Sequence, residues 1–247
     1  MQDRRYLLSI GELLALEPSH ALWEQCMDFL DTERRQRAER LKSRNKKAES
    51  VGAGLLLQLA VAEALQGEQQ LKEQQHSKEQ LSPRLTTEMR RLTFSEIIEL
   101  LKQFQQSCQF YEFPLLLEYT FGERGKPYLK NFPYYFSLSH SGEYIFLVIS
   151  DTEVGVDIQQ RKPLGNSKIA ERFFTKEEKQ ELATCSTEQE RERCFYRLWT
   201  QKEAYGKLTG EGIAAVLAGD RGKGKSETGI SEFYEIENYQ ITICKWK

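Results

Sequence analysis

Residues Phe136 to Gln159 read FSLSHSGEYIFLVISDTEVGVDIQ, and the rest of the chain can be interpreted from them. Tyr144 to Ser150 and Val154 to Ile158 are rich in β-branched and aromatic residues and are bounded by Gly and Asp, which predicts two short strands. Asp157 lies inside the second predicted strand. A carboxylate there is costly unless a cation or a hydrogen-bond donor is its partner, which suggests a metal site.

A second acidic group is offered by Arg197 to Lys207, RLWTQKEAYGK. Trp199, Glu203 and Lys207 are spaced at i, i+4 and i+8, so they share one face of a predicted helix. Taken alone, this pattern is that of a solvent-exposed Glu–Lys pair below a core tryptophan, worth about 0.2–0.5 kcal/mol. Its interest comes from its combination with Asp157.

Four motifs follow one another in the chain: SHS at 139–141, which is predicted to be a turn, VGVDIQ at 154–159, RFFTKEE at 172–178 and WTQKEAYGK at 199–207. In this order they resemble the phosphopantetheinyl transferases, specifically the larger two-halved type that activates peptide and polyketide synthetases. The resemblance is close over about Gly122 to Glu211. It implies an α/β (α+β) fold with two halves related by a pseudo-twofold axis, each a small, mainly antiparallel sheet with a long helix. We expect the halves at 1–130 and 131–247, with the metal site in the second.

The implied activity is the transfer of 4′-phosphopantetheine from coenzyme A to a serine of an apo acyl or peptidyl carrier protein. The cofactor would be Mg²⁺, with Mn²⁺ as an alternative ion, held by Asp157 and Glu203. Gln159 stands where relatives often have a third acidic residue, so we expect it at the metal as a neutral ligand. By the same resemblance Glu203 is the base that receives the serine proton, and Lys207 stabilises phosphate charge.

The resemblance also implies a set of contacts with coenzyme A. Arg34 and Arg37 correspond approximately to basic residues that hold its phosphates, and the Gly122 to Leu129 turn contacts its nucleotide part. Relatives often have an arginine where this chain has Glu49. The full set of predicted coenzyme contacts is Arg34, Arg37, Gly125, Lys126, Pro127, Ser139, His140 and Lys207.

Two alternative functions remain at this stage. From Arg34 to Lys47 eight basic residues face one acidic residue, Glu39. Such a run is a solvated helix face, a phosphate-binding patch or the binding helix of a nucleic-acid-binding protein. Gln159 and Glu49 favour another alternative, a catalytically weak relative that only binds carrier protein or coenzyme A.

Net charge and cysteine content disfavour several classes of protein. The 247 residues carry a net charge of −2, and the five cysteines form no CxxC pair. We therefore expect no disulfide framework, no zinc knuckle and no general attraction to nucleic acid or membrane. The N-terminal apolar run is predicted to be a strand and not a signal peptide, and Glu49 to Gln66 is predicted to be a core helix too short to span a membrane. A cytoplasmic monomer is expected.

The remaining segments complete the predicted order. Gln66 to Leu92 is rich in Gln, Glu and Lys and is predicted to be a mobile or loosely helical, dispensable insertion. GDRGKGKS at 219–226 formally matches a phosphate-binding loop, but the strand-like residues after it favour a hairpin loop. Further predicted elements are a helix over Leu22 to Leu41, a helix over Phe94 to Gln106, a strand over Pro114 to Thr120, an N-cap at Thr175, a helix over Glu188 to Lys207 and strands over Ile230 to Ile236 and Tyr239 to Trp246.

Overall fold

The computed structural model describes residues 3–76, 88–108, 110–164, 168–213 and 229–247, with backbone only for 70–76. It has the predicted mixed α/β composition, with small sheets and helices. In chain order the elements are β1 Arg4–Ser9, α1 Gly11–Ala15, α2 Ala21–Asp28, α3 Thr32–Arg40, α4 Arg44–His76, β2 Met89–Leu92, α5 Phe94–Ser107, β3 Tyr119–Phe121, β4 Pro127–Leu129, β5 Tyr135–Ser141, β6 Tyr144–Ser150, β7 Val154–Gln160, α6 Ile169–Phe173, α7 Lys176–Thr184, α8 Glu188–Thr209, β8 Gly229–Ile236 and β9 Tyr239–Trp246.

Two compact units share the chain. The first comprises Met1–Tyr119, Leu129–Tyr134 and Glu143–Asp151, and the second comprises Thr120–Tyr128, Tyr135–Gly142 and Thr152–Lys247. The predicted division near residue 130 and the pseudo-twofold relation between halves stay predictions.

In the first unit, β1 lies between β2 and β6. It pairs in parallel with β2, where Leu8 is opposite Leu92, and antiparallel with β6, where Tyr6 is opposite Leu147. Helix α4 packs closely on these strands, because a Cβ atom on Gly52 would lie only 2.7 Å from Ile145 Cδ1 and 3.0 Å from Leu8 Cδ2. The predicted opening strand and the helix beginning at Phe94 are confirmed.

The predicted insertion from Gln66 to Leu92 has regular secondary structure at both of its described ends. Helix α4 continues to His76, and Met89–Leu92 forms β2 beside β1. Gln, Glu and Lys are good helix formers even where they cannot fill a core, so their composition did not mark the end of the helix. Tyr134 also donates a 2.6 Å hydrogen bond to Glu68. Deleting Gln66 to Leu92 would therefore remove folded structure, and the remaining residues of this prediction, 77–87, lie outside the described residues.

The basic run is not one helix, contrary to the sequence prediction. The helical pattern from Leu22 to Leu41 is broken after α2, and Asp31 starts α3 by accepting a 2.9 Å hydrogen bond from the Arg34 amide. The eight basic residues consequently lie on α3, on the connection after it and on the first turn of α4. A single continuous basic helix, which the nucleic-acid-binding alternative required, does not exist here.

Helix α4 is also longer than predicted. Among the described residues, this helix has the length and apolar composition to cross a membrane over Arg44–Gln69, and 72% of its apolar stretch is buried in the protein. The argument that this helix is too short was therefore wrong. Its polar residue Gln58 is also buried. The side-chain amide of Gln58 donates a 2.8 Å hydrogen bond to the Leu115 carbonyl oxygen and accepts a 2.9 Å hydrogen bond from the Leu115 backbone amide.

The second unit contains an antiparallel sheet in the order β7-β9-β8. Asp157 of β7 is opposite Thr242 of β9. Helix α8 begins at a capping box between Thr187 and Glu190, and α7 begins at another between Thr175 and Glu178, which confirms the predicted N-cap. The predicted helix over Glu188 to Lys207 and both C-terminal strands are confirmed within two residues.

Several smaller predictions have mixed outcomes. The strand predicted from Pro114 is confirmed only at its end, in β3, which forms a hairpin with β4 around the predicted Gly122 to Leu129 turn. The GDRGKGKS segment lies outside the described residues. All five cysteines are free, as the sequence indicated.

Candidate active site

The backbone of α8 lies directly on β7 at Gly155. A Cβ atom at this position would collide with the Ala204 carbonyl oxygen and the Leu208 amide, and it would lie 2.8 Å from Leu208 Cα. Only glycine allows so close an approach of helix and strand. The sequence prediction already placed Gly155 within the strand over Val154 to Ile158, as one of the residues that punctuate the predicted strands. The structure places it inside β7, two residues before Asp157.

Asp157 is 2% exposed, and its carboxylate is satisfied by three side chains. Its Oδ1 atom accepts hydrogen bonds from Ser139 Oγ at 2.7 Å and from Lys207 Nζ at 2.9 Å. Its Oδ2 atom accepts one from Gln159 Nε2 at 3.2 Å. The buried charge therefore has both an ionic partner and neutral donors, which such a group requires.

Alternate serines of β5 face β7. Ser137 Oγ accepts a 3.0 Å hydrogen bond from the Val156 amide, and Ser141 Oγ accepts one of the same length from the Gln160 amide. Ser139 lies between them and donates to Asp157. The period of two in FSLSHS was a visible signal for this arrangement, which the sequence analysis missed.

The Ser139–Ser141 segment is the end of strand β5 and not a turn, which corrects the sequence prediction. Its polar side chains resemble those of a turn, but their hydrogen bonds go to the neighbouring strand. By the alternation of side chains along a strand, the exposed His140 lies on the opposite face from Ser139. Its predicted contact with a phosphate of coenzyme A stays a prediction.

Helix α8 supplies the other two charged groups at one helical turn from each other. Lys207 forms an ion pair with Asp157 while about a third of its side chain stays exposed. Glu203 is close enough to Asp157 for the charge on Asp157 to affect its protonation. Trp199, which was predicted to share a helix face with Glu203 and Lys207, packs instead against Phe173, with ring centroids 5.9 Å apart. Of the three residues predicted to share this helix face, Trp199 therefore has a packing role, and Glu203 and Lys207 lie at the candidate site.

Burial raises the pKa of the Glu203 carboxyl above its ordinary value of 4.5, and the negative charge of Asp157 raises it further. The ammonium group of Lys207 opposes this shift. Two carboxylates thus share a partly desolvated site with a single cation. A divalent cation would relieve their repulsion, and oxygen ligands of this kind suit Mg²⁺.

The predicted donor set contains two carboxylates and one amide, which are ligand types that such a cation takes. Among the described residues no group of three or more His, Cys, Asp or Glu side chains has metal-binding geometry. Gln159, which bonds Asp157, stands where a third carboxylate would complete the group. We therefore retain Asp157, Glu203 and Gln159 as the predicted metal ligands.

The turn between β3 and β4 has a different immediate partner from the predicted one. Lys126 Nζ donates a 2.7 Å hydrogen bond to the Leu208 carbonyl oxygen, and Arg124 donates to that of Glu211 at 2.9 Å. These contacts satisfy carbonyl groups at the C-terminal end of α8, where cations are favourable. Contacts of Gly125, Lys126 and Pro127 with coenzyme A stay predictions.

The remaining predicted site residues, Arg34 and Arg37, belong to α3 in the first unit. Arg34 donates a 3.3 Å hydrogen bond to the Tyr119 hydroxyl, and Arg37 is exposed. Glu49, which replaces the arginine frequent in relatives, is ion-paired with Lys46 at 2.7 Å. A phosphate-binding role for the two arginines stays a prediction.

The RFFTKEE motif supports α8. Phe174 packs against Phe195 with ring centroids 5.3 Å apart. Glu178 bonds the Thr175 amide at 2.7 Å and also forms a 2.8 Å ion pair with Lys202. The motif therefore contributes to the position of the helix that carries Glu203 and Lys207.

Known proteins are similar to this chain in sequence. A family model described as the 4′-phosphopantetheinyl transferase superfamily matches residues 153–244. The chain is 44% identical over 138 residues to the 4′-phosphopantetheinyl transferase psf-1 of Bacillus pumilus, covering 50% of this chain and 58% of that protein. It is 38% identical over 132 residues to AcpT of Salmonella typhimurium (52% and 67%) and 32% identical over 102 residues to Sfp of Bacillus subtilis (41% and 45%). The chain spans about half the length of several curated relatives that it matches.

Replacing Gly155 by alanine tests the contact between α8 and β7. Because the new methyl group meets backbone atoms that cannot rotate away, we expect Gly155→Ala to lower the free energy of unfolding by about 2 kcal/mol or more. At Gly122 the nearest atom to a new Cβ is 3.4 Å away, so Gly122→Ala is the matched control and should change stability little. Urea denaturation of both variants gives the comparison, and equal stability would contradict the predicted collision.

The raised pKa of Glu203 predicts a pH-dependent stability. The folded state binds the Glu203 proton more tightly than the unfolded state does. Protonation of Glu203 therefore contributes to the free energy of unfolding, fully below about pH 4.5, and this contribution is lost as the pH rises through the pKa of the folded state. Glu203→Gln lacks this loss, so its melting temperature relative to wild type should be higher at about pH 7.5 than at pH 4. Thermal melts without divalent cations measure the difference. The exposed Glu123→Gln is the control, and parallel curves for wild type and Glu203→Gln would overturn the prediction.

Proposed function

We propose, because the chain belongs to the 4′-phosphopantetheinyl transferase superfamily, that it transfers 4′-phosphopantetheine from coenzyme A to a serine hydroxyl of an apo carrier protein. The observation that carries the proposal is the cluster formed by Asp157, Glu203 and Lys207. A strand and a helix bring these three charges together within the segment that the family model matches.

The reaction requires control of phosphate charge. The serine oxygen forms a bond to the phosphorus of the pantetheine phosphate, and the bond from that phosphorus to the bridging oxygen breaks to release adenosine 3′,5′-bisphosphate. Asp157 and Glu203, with Gln159, would hold a divalent cation, in our proposal Mg²⁺. When bound, that cation would supply neutralisation of charge on the pyrophosphate.

Glu203 is the proposed base. The serine hydroxyl must lose its proton during attack, and a positioned carboxylate can receive it directly or through one water. In the protein without a bound cation, burial and the charge of Asp157 raise the pKa of Glu203, so this carboxyl takes up a proton more readily than an exposed one. Asp157 is satisfied by three donors and is therefore the less suitable proton acceptor.

Lys207 is proposed to stabilise the phosphate charge. Its ammonium group is bound to Asp157 on one side, and its partial exposure leaves it accessible to a ligand. This arrangement orients the cation before the substrate arrives, which lowers the cost of reorganisation during the reaction. Ser139 acts on the same carboxylate from the opposite strand and keeps it in place.

Substrate contacts outside this cluster are proposed from the family resemblance. Arg34, Arg37 and His140 would hold phosphates of coenzyme A, and the Gly125 to Pro127 turn would contact its nucleotide part. We propose a cytoplasmic monomer as the working form. Five free thiols are compatible with that reducing setting.

Transfer to an apo carrier domain tests the function. We expect mass spectrometry to show the mass increase of one phosphopantetheine group, dependent on coenzyme A and Mg²⁺. Asp157→Asn should reduce the rate by about a hundredfold or more, since it removes a charged metal ligand. Lys207→Gln should also reduce the rate strongly, whereas Arg191→Gln, which changes an exposed cation in the first turn of the same helix, should not. Folded wild type that shows no transfer to a panel of carriers would instead support the binding-only alternative.

A carboxylate at position 159 tests the metal centre. Gln159→Glu replaces the amide donor to Asp157 with a like charge, so the variant should melt at a lower temperature than wild type without divalent cations. Millimolar Mg²⁺ should restore its stability, and half-maximal transfer should require less Mg²⁺ than in wild type. Thermal melts and activity titrations give independent readings. An unchanged Mg²⁺ dependence in a folded variant would remove Gln159 from the predicted ligands.

A further inference from the structure

The first unit contains a cavity of about 400 Å³ where α2, α3 and the first turn of α4 meet. Its size lies within the usual range for small-molecule sites. Trp23 and Met27, 4% and 8% exposed, provide apolar surface, and Lys42, Arg44 and Lys47 provide positive charge. Arg34 and Arg37, the predicted phosphate contacts of coenzyme A, do not line it.

The charge around this cavity is unusual for a helix N-terminus. Helices α5, α7 and α8 have acidic residues in the first turn, where the helix dipole favours negative charge. The first turn of α4 has none and instead carries Arg44 and Lys47 at the cavity. The partial positive charge at a helix N-terminus repels cationic side chains placed there, and a bound anion would offset that repulsion.

The nearby acidic groups do not neutralise these cations. Glu39, which lines the cavity, is bonded to Arg35 at 3.4 Å, and Glu24 is exposed. Within the described chain, none of Lys42, Arg44 and Lys47 has an ion-pair partner. Their neighbour Lys46, outside the lining, is paired with Glu49.

Two buried donors at the cavity also lack acceptors in the described part of the chain. The indole Nε1 of Trp23 and the Nε of Arg44 have no hydrogen-bond partner. By contrast, the indole Nε1 of Trp246 donates to Glu153 at 3.1 Å. An unpaired buried donor is costly, and both side chains that carry these donors line the cavity. The Lys47 ammonium lies 5.9 Å from the centre of the Trp23 ring, so charge and aromatic surface are adjacent.

We propose that this cavity binds a small molecule in which a planar apolar ring carries a phosphate group. The ring packs against Trp23 and Met27, and the phosphate is bound by Lys42, Arg44 and Lys47. Three cations without ion partners at a helix N-terminus suit a phosphate better than a carboxylate, because phosphate carries more charge and more acceptor oxygens.

This site is separate from the predicted coenzyme contacts on the same helix. Arg35 and Glu39, one turn apart on α3, line the cavity, whereas Arg34 bonds Tyr119. Binding can therefore be measured without coenzyme A, metal or carrier protein, and its failure would leave the proposed transferase function untouched.

Isothermal titration calorimetry of the full chain with 1-naphthyl phosphate tests the proposal. We expect binding about tenfold or more tighter than that of either inorganic phosphate or 1-naphthol, because each fragment makes only part of the contacts. The double variant Lys42→Gln/Lys47→Gln should weaken binding about tenfold or more. Lys46→Gln is the matched control and should bind like wild type. Equal binding of inorganic phosphate, equal loss in the control or displacement by excess coenzyme A would overturn the proposal.

The indole N–H signals locate the ligand. The chain has three tryptophans, and Trp23→Phe assigns the Trp23 signal in a proton–nitrogen NMR spectrum. Addition of 1-naphthyl phosphate should shift that signal and leave the signal of Trp246, whose donor is already bonded, unchanged. A bound ligand that leaves the Trp23 signal unmoved would place it elsewhere and contradict the proposal.

Discussion

The contact between the backbones of α8 and β7 at Gly155 determines the geometry of the candidate active site. Any side chain on this residue would enter the space of Ala204 and Leu208. Because helix and strand touch without an intervening side chain, groups on α8 reach a carboxylate that is otherwise enclosed in the sheet. The position of Glu203 and Lys207 beside Asp157 follows from this single steric condition.

The close contact of α8 and β7 also brings two carboxyl groups, those of Asp157 and Glu203, into one partly buried site. Asp157 is almost fully buried and has Lys207, Ser139 and Gln159 as partners, whereas Glu203 brings a second negative charge into partly desolvated surroundings. A cluster with more carboxylates than cations favours binding of a divalent ion. In the proposed reaction, the same cluster would hold the carboxylate of Glu203 where the serine proton is accepted. Metal binding and base catalysis would therefore depend on the same arrangement of charge.

The first unit arranges its charge differently. Asp31 separates α2 from α3, and the break distributes the basic run over two helices and their connection. Arg34 and Arg35 lie on different faces of α3. Arg34 donates a hydrogen bond to Tyr119, whereas Arg35 lines the cavity beside Trp23. A sequence that reads as one basic patch forms two chemically different surfaces, because neighbouring helical residues point about 100° apart.

Local patterns determined the secondary structure near the site. The richness in β-branched and aromatic residues predicted β6 and β7, and the i, i+4 spacing placed Glu203 and Lys207 on a common face of α8. The membership of Asp157 and Glu203 in one site came from the order of four motifs and their resemblance to a family. Neither inference required knowledge of which chain segments touch.

Only the tertiary structure decided the contacts between distant residues. The pairing of Leu8 with Leu92, the bond from Ser139 to Asp157 and the helix contact at Gly155 join segments far apart in the sequence. Periodicity and composition describe the preference of a residue for a local conformation. They carry no information about the partner that a buried polar group or a bare glycine backbone will meet, because that partner is chosen by the packing of the whole unit.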